Sequence, residues 1–210
     1  MRKLYLLLSS VLLLAGCRIS KYNHLTCDKV VTNEQDFVSI IKPGAALKYK
    51  ASIDVLKNHL TGLLLVKQTD SLTKHIVFVT ELGMKMFDFE AKTNEINAVY
   101  VFDPLNKPKL IESLKRNFNN MLLLNAYGNN ASKCNKDIYA IKTEKHKWFY
   151  TVSVQNKEVV LQETFYKRKR ESRIDYIYNA GTKTYTDIKC KQYGLIKFYF
   201  ELNAITQTND

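Results

Sequence analysis

From residue 47 onward the chain repeats one device. Short segments carry apolar residues at every second position, and most are joined by turns too short for a crossover. Side chains of a strand alternate between its faces, so a period of two marks a strand with one face buried. Short joins between such segments require antiparallel neighbours. Leu47, Tyr49, Ala51, Ile53 and Val55 set the pattern. Further strands are expected over residues 60–67, where Gly62 interrupts, and over 75–80, 85–91 and 96–102. Only Glu81-Leu82-Gly83 marks the turn between the third and the fourth, which is hairpin spacing.

Asp103-Pro104 ends this series. Leu110, Ile111, Leu114, Phe118 and Met121 or Leu122 then recur at helical spacing, so a helix is expected over 107–124 with Asn106 as its cap. Residues 127–136 are rich in Asn and Gly and read as a loop. Strands resume over 137–142, 148–155, 158–166, 173–178, 184–189 and 195–202. Ahead of the first strand, Thr32-Asn33-Glu34-Gln35 has the form of a capping box. A short helix is expected to follow, with Phe37, Ile40 and Ile41 on one side, until Pro43-Gly44 stops it. The expectation is a mainly β (α+β) domain: a curved antiparallel sheet of about eleven strands forming an open half-barrel, lidded by the N-terminal and mid-chain helices.

The N-terminus has a different grammar. Arg2 and Lys3 precede an apolar run from Leu4 to Leu14, which ends in Leu14-Ala15-Gly16-Cys17. Charge, apolar core and small residues form a secretory signal. The run falls short of the roughly 20 residues that span a bilayer. Leu14 to Cys17 resembles a bacterial lipobox, which implies lipidation of Cys17 and cleavage before it. The expected organisation is signal peptide 1–17, tether 18–31 and a single domain over 32–210. Arg18 stands where an Asp would signal inner-membrane retention. An outer-membrane anchor on the periplasmic face is therefore expected.

Of 32 Lys plus Arg, the signal removes Arg2 and Lys3; it removes none of the 20 acids, so the remainder carries about +10. An exported basic protein is a poor candidate for nucleic acid. Its charge suits an anionic membrane surface, or simply solubility. Lys167, Arg168, Lys169 and Arg170, with Arg173 nearby, concentrate that charge between two strands. They are anionic-surface candidates, or a solvated hairpin. Beyond the anchor lie Cys27, Cys134 and Cys190. Three thiols allow at most one internal pair. With Cys27 in the tether, Cys134 with Cys190 is the expected disulfide.

No Cys-x-x-Cys, His-Glu-x-x-His, Gly-x-Ser-x-Gly or P-loop occurs, and the four histidines are scattered. No catalytic residues, metal or cofactor are expected, and the role is expected to be non-enzymatic. Asp88 and Glu90 share a strand face, which solvent accounts for.

The segment Gly62-Leu63-Leu64-Leu65-Val66, followed by Ile76-Val77-Phe78-Val79-Thr80-Glu81-Leu82-Gly83-Met84-Lys85-Met86-Phe87-Asp88-Phe89, resembles the outer-membrane lipoprotein receptor family LolB. The likeness covers residues 32–102, and beyond them only element order. The chain is also similar to a group of Bacteroidetes lipoproteins of this fold. The resemblance implies an apolar half-barrel that receives acylated lipoproteins from a LolA-like periplasmic carrier and inserts them into the outer membrane, with a turn leucine entering the bilayer. By position that leucine is Leu82, although Glu81 replaces the usual proline before it. Val66, Ile76, Phe78, Phe87, Phe89, Tyr100 and Phe102 are candidates to line the acyl site, or ordinary core. A monomer is expected. The alternative is an envelope interaction lipoprotein with a filled barrel that binds a protein partner.

Overall fold

The structure, a computed structural model, describes residues 22, 24–28, 40–41, 46–55, 58–70, 73–92, 95–123, 131–193 and 196–205. Cys17, the signal and the capping box lie outside these residues. Of the expected N-terminal helix only Ile40 and Ile41 are described, and both are buried in the core.

Among the described residues twelve strands form one antiparallel sheet. They are β1 (Ala46–Val55), β2 (Asn58–Gln68), β3 (Lys74–Thr80), β4 (Lys85–Lys92), β5 (Glu95–Val101), β6 (Ser132–Lys133), β7 (Ile138–Lys142), β8 (His146–Val152), β9 (Val159–Tyr166), β10 (Lys169–Asn179), β11 (Thr184–Gln192) and β12 (Phe198–Ala204). The spatial order is β5-β4-β3-β2-β1-β12-β11-β10-β9-β8-β7-β6. First and last strands pair at the centre, with Ala51 opposite Leu202 and Ile53 opposite Phe200. The sheet does not close, and its edges, β5 and β6, are consecutive in sequence. A chain leaving one edge and returning at the other must cross the open mouth. Helix α1 (Pro108–Met121) makes that crossing.

Gly62 does not break β2. A Cβ there would collide with the carbonyl oxygen of Val79, so the strand continues because the residue is glycine. The helix begins one residue later than expected. Lys107, not Asn106, occupies the N-cap position without a side-chain cap bond, and Pro108 supplies the first turn. Its apolar stripe, Leu110, Leu114, Phe118 and Met121, is buried against the concave face.

Two register shifts affect the site. β4 and β5 slip between Asp88 and Phe89, and β9 and β10 slip between Arg170 and Ser172. The second belongs to a tighter hairpin than expected: β10 begins at Lys169, leaving only Lys167 and Arg168 between the strands.

Candidate functional site

The register builds an apolar strip across the concave face. Tyr49, Leu64, Phe78 and Phe87 form one row through β1 to β4, and Leu47, Val66, Ile76 and Phe89 form the next. Val66, Ile76, Phe78, Phe87 and Phe89 are each at most 2% exposed. Five of the seven lining candidates therefore share this face. The Phe118 ring of α1 sits over them, its centroid 5.4 Å from Phe87, 5.9 Å from Phe89 and 5.1 Å from Phe200. In this state the helix fills the strip.

Tyr100 is a correction. The slip in β5 sets it opposite Asp88, on the convex face, where it is half exposed beneath the Lys85 ammonium. Val101, opposite Phe87, packs on the core instead. Phe102 is half-buried at the strip's rim, with its amide bonded to the Met86 carbonyl at 2.8 Å.

The other flank of α1 carries polar contacts that sequence reasoning missed. The Ser113 hydroxyl donates to Gln192 Oε1 at 2.7 Å, and Asn117 Nδ2 donates to the same oxygen. Trp148 Nε1 donates to Asn120 Oδ1 at 3.0 Å. Ser113, Asn117 and Asn120 recur at helical spacing, and all three are buried. A groove of about 460 Å³ runs beside α1 between edge strand β5 and β8, lined by Glu95, Asn97, Glu112, Arg116, His146 and Trp148 among others. No group of three or more His, Cys, Asp or Glu among the described residues could hold a metal ion.

Leu82 is 94% exposed at the tip of the β3–β4 hairpin, and Met84 beside it is 46% exposed. Gly83 turns the chain with φ +80°, a conformation natural to glycine. Thr80 closes the turn: its carbonyl accepts from the Gly83 amide at 2.9 Å, and its hydroxyl accepts from the Met84 amide. Exposed Glu81 precedes the leucine.

The basic candidates divide. Lys167, Arg168 and Lys169 are exposed at the β9–β10 turn. Arg170 is committed to the buried Glu163 carboxylate at 2.8 Å. Arg173 is committed to Asp175, which it meets through both Nε and Nη2.

The expected disulfide is also corrected. Cys27 is joined to Cys134, and Cys190 is a buried free thiol. Cys134 packs in a small cluster on the convex side, whereas Cys190 lies under α1 within 3.6 Å of Asn117 Oδ1, so the sheet separates them. Burial pushes the Cys190 thiol well above its ordinary value. Cys27 therefore does not belong to a free tether. Residues 24–28 lead from Tyr22, which is buried between Phe149 and Phe165, to Asp28, whose amide donates to the Lys133 carbonyl at 2.9 Å.

No protein-family model matches the chain. No curated protein matches it significantly. Among solved structures it is similar to a domain assigned to outer membrane lipoprotein sorting from Vibrio parahaemolyticus, at 9% identity and a TM-score of 0.45, covering 80% of this chain and 88% of that one. It is likewise similar to a LolA superfamily protein from Nitrosomonas europaea, at 8% identity and a TM-score of 0.43, covering 80% of this chain and 87% of that one.

Proposed function

We propose that this chain is a lipoprotein anchored through Cys17, and that its half-barrel takes up acyl chains of a lipoprotein or lipid on the concave strip that α1 covers. The observation that carries this reading is the cover itself. A continuous aliphatic and aromatic strip across β1–β4 and β12 is roofed by an amphipathic helix, α1, that links the two edge strands β5 and β6 of the open sheet. Swinging such a helix aside exposes a surface suited to fatty chains, whose transfer from water is favourable by about 0.8 kcal/mol per CH₂. Exposed Leu82 and Met84 would enter the bilayer during delivery, and the outer membrane is the proposed site of anchoring.

A second reading has its own observation. Phe118 packs within ring contact of Phe87, Phe89 and Phe200, as a permanent core residue would. On that reading the barrel stays filled and the protein binds an envelope partner through its surface.

The deciding experiment uses the chain from Arg18 onward, incubated with an acylated lipoprotein held by its periplasmic carrier. Transfer of the lipoprotein to this chain is the expected result. A folded protein that accepts no cargo would leave the filled-barrel reading standing.

A further inference from the structure

The sheet register places several hairpins at one end of the half-barrel. Tyr166 pairs with Lys169, Ser172 with Gln192, Gln192 with Phe198, and Phe198 with Val55. The β7–β8 and β9–β10 tips touch, the Lys167 amide donating to the Lys145 carbonyl at 2.6 Å. Exposed at this end are Lys145, Lys167, Arg168, Lys169, Lys191 and Lys197. The acids near them include exposed Glu144 and exposed Asp54, which lines a groove with Lys191 and Lys197 and is paired with His59, and Glu81 is exposed on the β3–β4 turn. Glu163 is buried on Arg170, and Glu171 faces Arg116 and His146. The turns at the opposite end mix signs, with Lys136 beside Asp137 and Lys157 beside Glu158.

The chain N-terminal to the sheet arrives at this basic end. Tyr22 stacks on Phe149 with centroids 3.9 Å apart, meets Phe165 edge-on and donates to Glu163. Phe165 is two residues from the β9–β10 turn, or about 7 Å along a strand. Cys27 is covalently fixed to Cys134. Four residues separate Tyr22 from Cys17, so even fully extended the five steps between them span only about 18 Å.

From these two observations we infer that Tyr22 and residues 24–28 form a strap that holds the basic hairpin end against the anionic surface of the very membrane carrying the Cys17 lipid. The inference rests on Cys17 being the anchor and deepens that part of the proposal. A short link keeps the basic residues at high effective concentration over the bilayer. Their fields act within about 8–10 Å at physiological salt, a gap that the strap closes. Leu82 sits on a hairpin at the same end, because Thr80 lies opposite Gly62 and β2 continues past it toward Asn58. The strap thus presents the apolar tip and the basic rim together.

The test couples the chain beginning at Cys17 to maleimide lipid in vesicles through that thiol, which is selective because Cys27 and Cys134 are paired and Cys190 is buried. Amide exchange is then followed across residues 165–170 on vesicles of phosphatidylcholine with and without 30% phosphatidylglycerol (about a third anionic lipid, for a strong surface field). Exchange in the hairpin should slow about tenfold or more on the anionic vesicles and recover in high salt. The triple reversal Lys167→Glu, Arg168→Glu and Lys169→Glu should abolish the protection. So should a flexible insertion of about ten residues before Tyr22, which lengthens the link and leaves the strap's contacts intact. Equal exchange on neutral and anionic vesicles would overturn the inference and point the basic rim to an acidic protein surface. Protection confined to the turns at the opposite end would overturn it too. Chemical coupling bypasses cellular lipidation and needs no cargo, so this failure is distinct from failure of acyl uptake.

Discussion

Tyr22 donates its hydroxyl to Glu163 Oε2 at 2.6 Å across 141 residues of sequence. Arg170 holds the other oxygen of that carboxylate at 2.8 Å. A buried carboxylate is tolerated only when paired and hydrogen-bonded, and here the strap supplies one of its hydrogen-bond donors. Tyr22→Phe keeps the ring stack and removes the donor, and should cost about 1–3 kcal/mol. Tyr22→Ala also empties the slot between Phe149 and Phe165 and should cost about 3–5 kcal/mol. Urea unfolding midpoints at constant slope check both.

The Cys27–Cys134 bond closes a separation of 107 residues. Constraining an unfolded chain over such a loop stabilises the fold by about 2–4 kcal/mol, with a chain-entropy ceiling near ~5 kcal/mol. Reduction, or Cys27→Ser with Cys134→Ser, should lower the unfolding free energy by that order. Cys190→Ser removes a buried thiol instead and leaves the disulfide in place. Its thiol should resist alkylation in the folded state and react only on unfolding.

The period-two pattern made the sheet legible, because each strand buries one face and the turns between them are short. What escaped depended on tertiary context. β6 is two residues long, too short to show a period inside its Asn-rich surroundings. Strict alternation from Ile96 points Tyr100 inward, and one bulge in β5 reverses it. The cysteine pairing is not legible because the segment around Cys27 has no pattern of its own, and it is Tyr22 and Cys27 that pin it to the sheet. Ser113, Asn117 and Asn120 are polar residues whose burial no sequence pattern signals, because the partners that satisfy them, Gln192 and Trp148, come from β11 and β8. Leu82 was legible because a leucine beside a turn glycine, between two strong strands, has nowhere to go but the tip.

Gly62 gives a sharp test of strand packing. Gly62→Ala adds one methyl group against the Val79 carbonyl and the Thr80 backbone, which cannot yield as a flexible side chain would. Overpacking of this kind costs about 1–3 kcal/mol. A lowered thermal midpoint with an unchanged far-ultraviolet spectrum is expected.

Alkaline pH should unfold the protein through its buried phenols. Burial raises the Tyr22, Tyr49 and Tyr185 hydroxyls well above their ordinary value of 10.0, and for Tyr22 the Glu163 hydrogen bond adds to the rise. Groups whose proton is held more tightly in the fold contribute stability that is fully present below the unfolded value. It is lost progressively above that value, because only the unfolded chain then ionises. Unfolding free energy should therefore not depend on these phenols below about pH 9 and should fall steeply above pH 10. Tyr22→Phe should flatten part of that fall; an unchanged alkaline limb would remove Tyr22 from the account.

Leu82→Glu separates binding from delivery. The side chain is 94% exposed and the turn is closed by Thr80 and Gly83, not by Leu82, so stability should change by no more than about 0.5 kcal/mol. A carboxylate at the tip, next to Glu81, opposes entry into the bilayer, where the leucine would gain about 1.5–3 kcal/mol by burial. The variant should still accept an acylated lipoprotein from its carrier and should fail to pass it to vesicles. Leu82→Ile, similar in size and hydrophobicity, should restore delivery. A Leu82→Glu protein that delivers cargo at the unaltered rate would show that the tip stays in water, and Met84 with the basic rim would then have to account for any contact with the membrane.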